Sequence, residues 1–135
     1  ILTGLTAGTL YHYYVRSVDE AGTAATSTDA TFTTTVADMT PPVISAVSAT
    51  STSATSTAIL WTTNELANSK AYYSTTTPLV IATATSMSNT SFVTAHALTL
   101  TGLTASTTHY FMVESIDLSD NKATSSEQSF TTLSL

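Results

Sequence analysis

The sequence predicts an all-β chain made of tandem antiparallel β-sandwiches, the first of them incomplete. Three observations carry that expectation. Thr, Val and Ile account for 45 of the 135 residues, and β-branched side chains lose rotamer freedom in helices but fit a pleated sheet. Apolar and polar positions alternate with period two wherever aromatic residues occur, as in strands buried on one face. Finally, Leu2–Thr34 recurs as Leu100–Thr132 at a constant offset of 98 residues, without a gap and with 16 of 33 positions identical. A period of that size is a sandwich domain, not a solenoid unit of 20–50 residues. The chain is therefore expected to hold the closing third of one sandwich (residues 1–35), a linker (36–42) and a complete sandwich (43–133). The 51 Ser and Thr residues would also suit a disordered stalk, but Trp61, six Tyr and four Phe oppose that reading.

The elements read in order as follows. In the partial domain a turn at Gly4 precedes a strand with Tyr11, Tyr13 and Val15 on one face and His12, Tyr14 and Arg16 on the other, and Phe32 anchors the closing strand. Thr40-Pro41-Pro42 cannot supply ladder donors at either proline and marks a stiff connector. Val43–Val47 reads as a short first strand, followed by a Ser/Thr/Ala stretch that fits either a loop or an edge. Thr57–Thr63 is the clearest central strand, with Thr57, Ile59, Trp61 and Thr63 on one face. Ser69–Ser74 presents Ser69, Ala71 and Tyr73 together, and Pro78–Thr83 reads as an edge strand. His96, Leu98 and Leu100 alternate in the next strand. After the Gly102 turn, His109, Phe111, Val113 and Ser115 share the inner face, opposite Tyr110, Met112, Glu114 and Ile116. Ser126–Thr132 closes the sheet through Phe130. Trp61 is the expected core anchor, lying between the sheets near Ile59, Tyr73, Leu98, Phe111 and Val113.

Leu103-Thr-Ala-Ser-Thr107-Thr-His109-Tyr-Phe111-Met-Val113, the Trp61 strand and the final Phe130-Thr131-Thr132 resemble a fibronectin type III domain, an Ig-like β-sandwich. Trp61-Thr-Thr-Asn-Glu65-Leu-Ala67-Asn-Ser69, then Tyr73, then His96–Leu103, are similar to the variant found in bacterial secreted proteins and at the N-terminus of purple acid phosphatases. The resemblance covers roughly residues 40–132 fully and 1–34 in part. It implies a "tyrosine corner", in which a tyrosine hydroxyl bonds back to the preceding turn. Tyr11 fits that place in the first copy, whereas His109 occupies it in the second. The phosphatase's metal-binding domain has no counterpart, so its catalysis does not carry over.

Nine acids against three bases, Arg16, Lys70 and Lys122, give a net charge of −6, which argues against nucleic acid or an anionic membrane as partner. No apolar run approaches the ~18 residues of a membrane-spanning helix. The chain has no Cys and therefore no disulfide framework. No charged-then-apolar leader opens it, so the signal of a secreted protein is expected outside these residues.

Candidate chemistry is sparse. Gly4-Leu5-Thr6-Ala7-Gly8 has the outline of a nucleophile elbow, but its second copy reads Gly102-Leu-Thr-Ala-Ser106 and joins strand to strand. His12, His96 and His109 lack metal-ligand spacing. Asp117-Leu-Ser-Asp120-Asn121 offers oxygens suited to a hairpin turn or to calcium. The first copy, Asp19-Glu-Ala-Gly22-Thr, loses two of them, which favours the turn. Glu65 and Asp117 have no accompanying constellation for acid/base work. Lys70 and Lys122 are expected to be solvated rather than cross-linked to Asn.

No catalytic, cofactor or metal site is therefore expected. The candidate interaction surface comprises Tyr11, Tyr13 and Val15, a row with no opposite sheet, together with Tyr14 and Tyr110 on outer faces. The expected function is that of a structural module of an extracellular bacterial surface protein, a link in a tandem array or filament formed with copies of the chain or with adjacent repeats. The competing function is a carbohydrate- or target-binding accessory domain of a secreted hydrolase. Thr50–Thr57 and Ser74–Thr77 are candidate O-glycan clusters, and Asn89-Thr90-Ser91 is the one N-glycosylation sequon.

Overall fold

The computed structural model describes residues 1–50 and 52–135; Ser51, within the Thr50–Thr57 cluster, lies outside the described residues. The described chain is all-β and divides into two compact units, Ile1–Asp38 and Met39–Leu135. The segment joining them has no strand between Thr33 and Ile44.

The first unit holds β1 (Leu10–Tyr13), β2 (Arg16–Val18), β3 (Ala24–Thr26) and β4 (Ala30–Thr33). Antiparallel pairing of β1 with β4 and of β2 with β3 makes one long hairpin, interrupted once on each side. The second unit holds β5 (Ile44–Thr50), β6 (Ser56–Ser74), β7 (Thr85–Thr101), β8 (Thr108–Ile116), β9 (Lys122–Thr124) and β10 (Gln128–Thr131).

β6 and β7 each serve both layers of this sandwich. The first half of β6 pairs with β5 and with Ala95–Thr101 of β7. Its second half pairs with β8 and with Thr85–Asn89 of β7. Register breaks between Thr62 and Ser69 mark the corner, the usual device by which a strand passes from one sheet to the other. The predicted strands Thr57–Thr63 and Ser69–Ser74 are thus one continuous strand with a bend.

Alternation fills the space between the layers. Ile59, Trp61, Ala71, Leu98, Leu100, Leu103, Phe111, Val113 and Phe130 form the buried cluster, with Ile44, Val47, Ala49, Tyr73 and Met87 packed at its margin.

The expected edge strand at Pro78–Thr83 is corrected: this segment is a loop. The N–H groups of Thr83 and Ala84 both turn back to the carbonyl of Val80, at 3.0 Å. The Glu127 carboxylate accepts from the Thr77 hydroxyl and the Leu79 N–H, so the donors a ladder needs are already committed. Edge pairing to the second half of β6 comes instead from the Thr85–Asn89 end of β7.

Candidate interaction surface

The sequence repeat is also a repeat of hydrogen bonds. In the first unit the Val15 N–H donates to the Ser27 hydroxyl at 3.0 Å; in the second, Val113 donates to Ser125 at 3.0 Å. Thr9 N–H donates to the Thr34 hydroxyl at 2.9 Å, as Thr107 does to Thr132 at 3.0 Å. The Thr34 and Thr132 hydroxyls both reach back to the turn, donating to the carbonyls of Thr6 and Thr104. At the hairpin tip Asp19 Oδ1 accepts the Thr23 N–H at 2.8 Å, and Asp117 Oδ1 accepts that of Asn121 at 2.9 Å. Rings match too: Tyr11 stacks on Phe32 with centroids 5.6 Å apart, and His109 on Phe130 at 5.4 Å. Backbone geometry follows the same register. Gly8 and Gly22, with φ of +63° and +82°, correspond to Ser106 and Asp120 at +51° and +66°.

Two copies with the same internal bonding differ in what covers them. Tyr13 is 43% exposed where Phe111 is 0%, Val15 61% where Val113 is 0%, and Leu2 67% where Leu100 is 0%. In the second unit Phe111, Val113 and Leu100 are buried in one cluster with Ile59, Trp61 and Leu98. In the first unit Tyr11, Tyr13 and Val15 lie on a two-stranded ribbon with no second layer in the unit, Tyr11 half-buried by its stacking on Phe32. Tyr14, in the break between β1 and β2, is exposed as well.

The tyrosine corner is made in the first unit, where the Tyr11 hydroxyl accepts the Thr6 N–H at 2.8 Å. In the second, the shorter His109 ring reaches only to the Thr104 carbonyl, at 3.5 Å, and borders a cleft of about 220 Å3 lined by Tyr73, Ser74, Gly102, Leu103 and Thr104.

The remaining candidates have local structural roles. Trp61 is buried, stacks on His96 at 4.8 Å and donates its Nε1–H to the Ser115 hydroxyl at 2.9 Å. His96 is itself buried, with Nε2 at 2.8 Å from Thr63 Oγ1 and Nδ1 at 2.8 Å from Ser69 Oγ, and burial pulls its pKa below the usual imidazole value. His12 pairs with Asp29 at 2.7 Å on the surface. Asp117 folds its own turn, accepting from the N–H groups of Ser119 and Asn121 and from the Asn121 amide. Burial works to raise its pKa, but these three bonds outweigh it and hold the carboxyl below its ordinary range.

Tyr110 is half-buried rather than freely exposed, on the central strand β8 between Ser74 of β6 and Ser129 of β10. On the same sheet Tyr72 is buried and donates to Glu114 at 3.2 Å, while Lys122 approaches the same carboxylate at 3.4 Å. The Lys70 ammonium sits 4.7 Å over the Tyr72 ring. Period-two reading placed Tyr72 and Glu114 outside the core and missed this cluster, since the hydroxyl bond and the ion pair that cover it join residues 42 and 8 positions apart.

No protein-family model matches the chain, and no curated protein matches it. Solved structures do. A myokine structure superposes with a TM-score of 0.59 at 15% identity, covering 70% of this chain and 99% of that one. The FN1–FN3 domains of chicken CNTN1 give 0.54 at 17% identity, covering 96% of this chain, which spans only 45% of theirs. A fibronectin type III domain from human KIAA0970 protein gives 0.50 at 19% identity, covering 71% and 75%. At such identities the likeness speaks to architecture alone, and the architecture of this chain is a fibronectin type III-like β-sandwich.

Proposed function

We propose that the chain is a structural, non-catalytic module of an extracellular bacterial surface protein, a link or subunit of a tandem array or filament assembled by β-strand or domain completion. The observation that carries this reading is the contrast between two hairpins with the same bonding, one capped by an opposing sheet and one open. Burying a large apolar side chain contributes about 1.5–3 kcal/mol, and a two-stranded ribbon alone is marginal in water. The open row therefore gains most of its stability only when strands outside residues 1–34 cover it. Head-to-tail covering of this kind propagates along one direction, as arrays and filaments require. The hydroxylic, weakly charged surface and the absence of Cys are compatible with an extracellular setting, and the likeness to fibronectin type III domains supports a structural or binding role.

Limited proteolysis and sedimentation of the native protein test this. Residues 1–34 should resist cleavage as long as residues 43–132 do, in a particle that is extended or oligomeric. Rapid cleavage within 1–34 in a compact monomer would contradict it.

A further inference from the structure

We infer that the cleft beside His109 is a binding site for a single uncharged sugar ring, one of whose hydroxyls stands where a tyrosine-corner hydroxyl would. The first unit supplies the template. There the Tyr11 ring stacks on Phe32 with centroids 5.6 Å and planes 19° apart, and its hydroxyl accepts the Thr6 N–H at 2.8 Å. In the second unit the His109 ring lies on Phe130 in nearly the same way, at 5.4 Å and 15°, but imidazole ends short of the place a phenol oxygen would take. The Thr104 N–H, counterpart of the Thr6 N–H, makes no hydrogen bond among the described residues. An oxygen acceptor therefore suits that position, and Thr104 and His109 both line the cleft of about 220 Å3.

The wall of the cleft specifies the class of ligand. It carries no carboxylate, ammonium or guanidinium, so nothing there selects an ion. The hydroxyls of Tyr73, Thr75, Thr85 and Thr104 make no hydrogen bond among the described residues, and each can both donate and accept. His109 itself is only 4% exposed. Its Nε2 faces the Thr104 carbonyl at 3.5 Å, and with that nitrogen as the donor Nδ1 is left as an acceptor. No fully buried side-chain nitrogen or oxygen of the described residues lacks a partner, so the unbonded Nδ1 is an atom that solvent reaches. A ligand matched to such a wall has several adjacent hydroxyls, no charge, and a C–H face for the apolar side chain of Leu103. Drug-sized ligands fill pockets of about 300–1,000 Å3; the smaller volume here fits one pyranose ring.

The test titrates the full chain with D-glucose, D-galactose and D-mannose and follows its amide resonances. A hexose that occupies the cleft should move the Thr104 N–H saturably, with a midpoint of about 1–10 mM, as suits a ligand of so few atoms. Tyr73→Phe removes one hydroxyl, keeps the ring, and should weaken binding about 2–10-fold. His109→Tyr places the protein's own hydroxyl on the Thr104 N–H and should abolish the movement. D-Galacturonate, which carries a carboxylate where galactose does not, should bind no better than galactose. The inference is overturned by the absence of saturable movement at Thr104 with all three hexoses up to about 100 mM, tenfold beyond the expected range. It is equally overturned by binding that Tyr73→Phe leaves unchanged, by binding that survives in folded His109→Tyr, or by a galacturonate affinity above that of galactose. If His109→Tyr does not fold, the Tyr73→Phe comparison decides alone.

Discussion

The bond that joins the two layers of the complete sandwich, from Trp61 Nε1–H to the Ser115 hydroxyl, can be tested against an internal control. Both residues are buried and the bond is 2.9 Å long. Ser115→Ala removes one hydroxyl and leaves the indole N–H without a partner in an apolar enclosure. An unsatisfied buried donor costs about 1–3 kcal/mol. The repeat counterpart, Ser17, stands between Val15 and Asp19 as Ser115 stands between Val113 and Asp117, but it is exposed, so Ser17→Ala should stay within about 0.5 kcal/mol of the parent. Trp61→Phe should cost roughly 2–4 kcal/mol, through lost volume and the stranded hydroxyl of Ser115. The double change Trp61→Phe with Ser115→Ala should cost less than the two singles together, because the second removes a group the first had orphaned. Urea unfolding followed by the amides of β6 and β8 measures all four. Ser115→Ala at parental stability, or a strictly additive double variant, would refute this account of the core.

Three further outcomes follow from the same geometry. His109→Tyr should restore the tyrosine corner of the second unit, its hydroxyl accepting the Thr104 N–H as Tyr11 accepts that of Thr6, and raise stability by about 1 kcal/mol; a lowered melting temperature would show that the cleft beside His109 cannot take the longer ring. Stability should fall in two stages on acidification. His96 has a depressed folded-state pKa, so the unfolded chain takes up a proton first and stability declines as the pH drops below about 6.5; the depressed carboxyls of Asp117 and Glu127, the latter held down by the Leu79 N–H and Thr77 hydroxyl, contribute stability above their ordinary values of 3.8 and 4.5 that is lost as the pH falls through their folded-state values. His96→Gln should remove the upper stage and Glu127→Gln part of the lower one, read from melting temperature against pH. Asn89 lies exposed on β7 with its Oδ1 accepting the Ser91 N–H at 2.9 Å, and native material carrying glycans should exceed the polypeptide mass; an intact mass equal to 14.1 kDa removes that expectation.

How far the fold could be read from residues depended on the range of the interactions involved. Rows such as Thr57, Ile59, Trp61, Thr63 and His109, Phe111, Val113, Ser115 alternate cleanly because one face of each strand is buried, so period two is visible without any partner. The repeat was equally plain, and its bond-for-bond counterpart follows from matched Thr, Ser, Asp and Phe positions. Thr85–Val93 escaped notice because its flank of β7 is an exposed edge with only Met87 and Val93 turned partly inward, which leaves little alternation to detect. Leu79-Val80-Ile81 misled in the opposite sense: its apolar run suits a strand, but Glu127, 48 residues away, binds the loop at Leu79. The polar core was illegible for a similar reason. His96 finds its hydroxyls 33 and 27 residues away, at Thr63 and Ser69, and no local pattern announces that. On the candidate surface, the sequence marked Tyr11, Tyr13 and Val15 because the repeat supplied a buried template for the same row, whereas nothing local distinguished half-buried Tyr110 from exposed Tyr14.

The central claim is that the first hairpin is the closing part of a sandwich whose other strands lie outside residues 1–34. A structure of the native protein that places the side chains of Tyr13 and Val15 tests it most directly. Both should be buried as Phe111 and Val113 are, against a sheet from beyond Ile1–Thr34. Finding them ordered but solvated, or packed on residues 43–132 of the same chain, would contradict it.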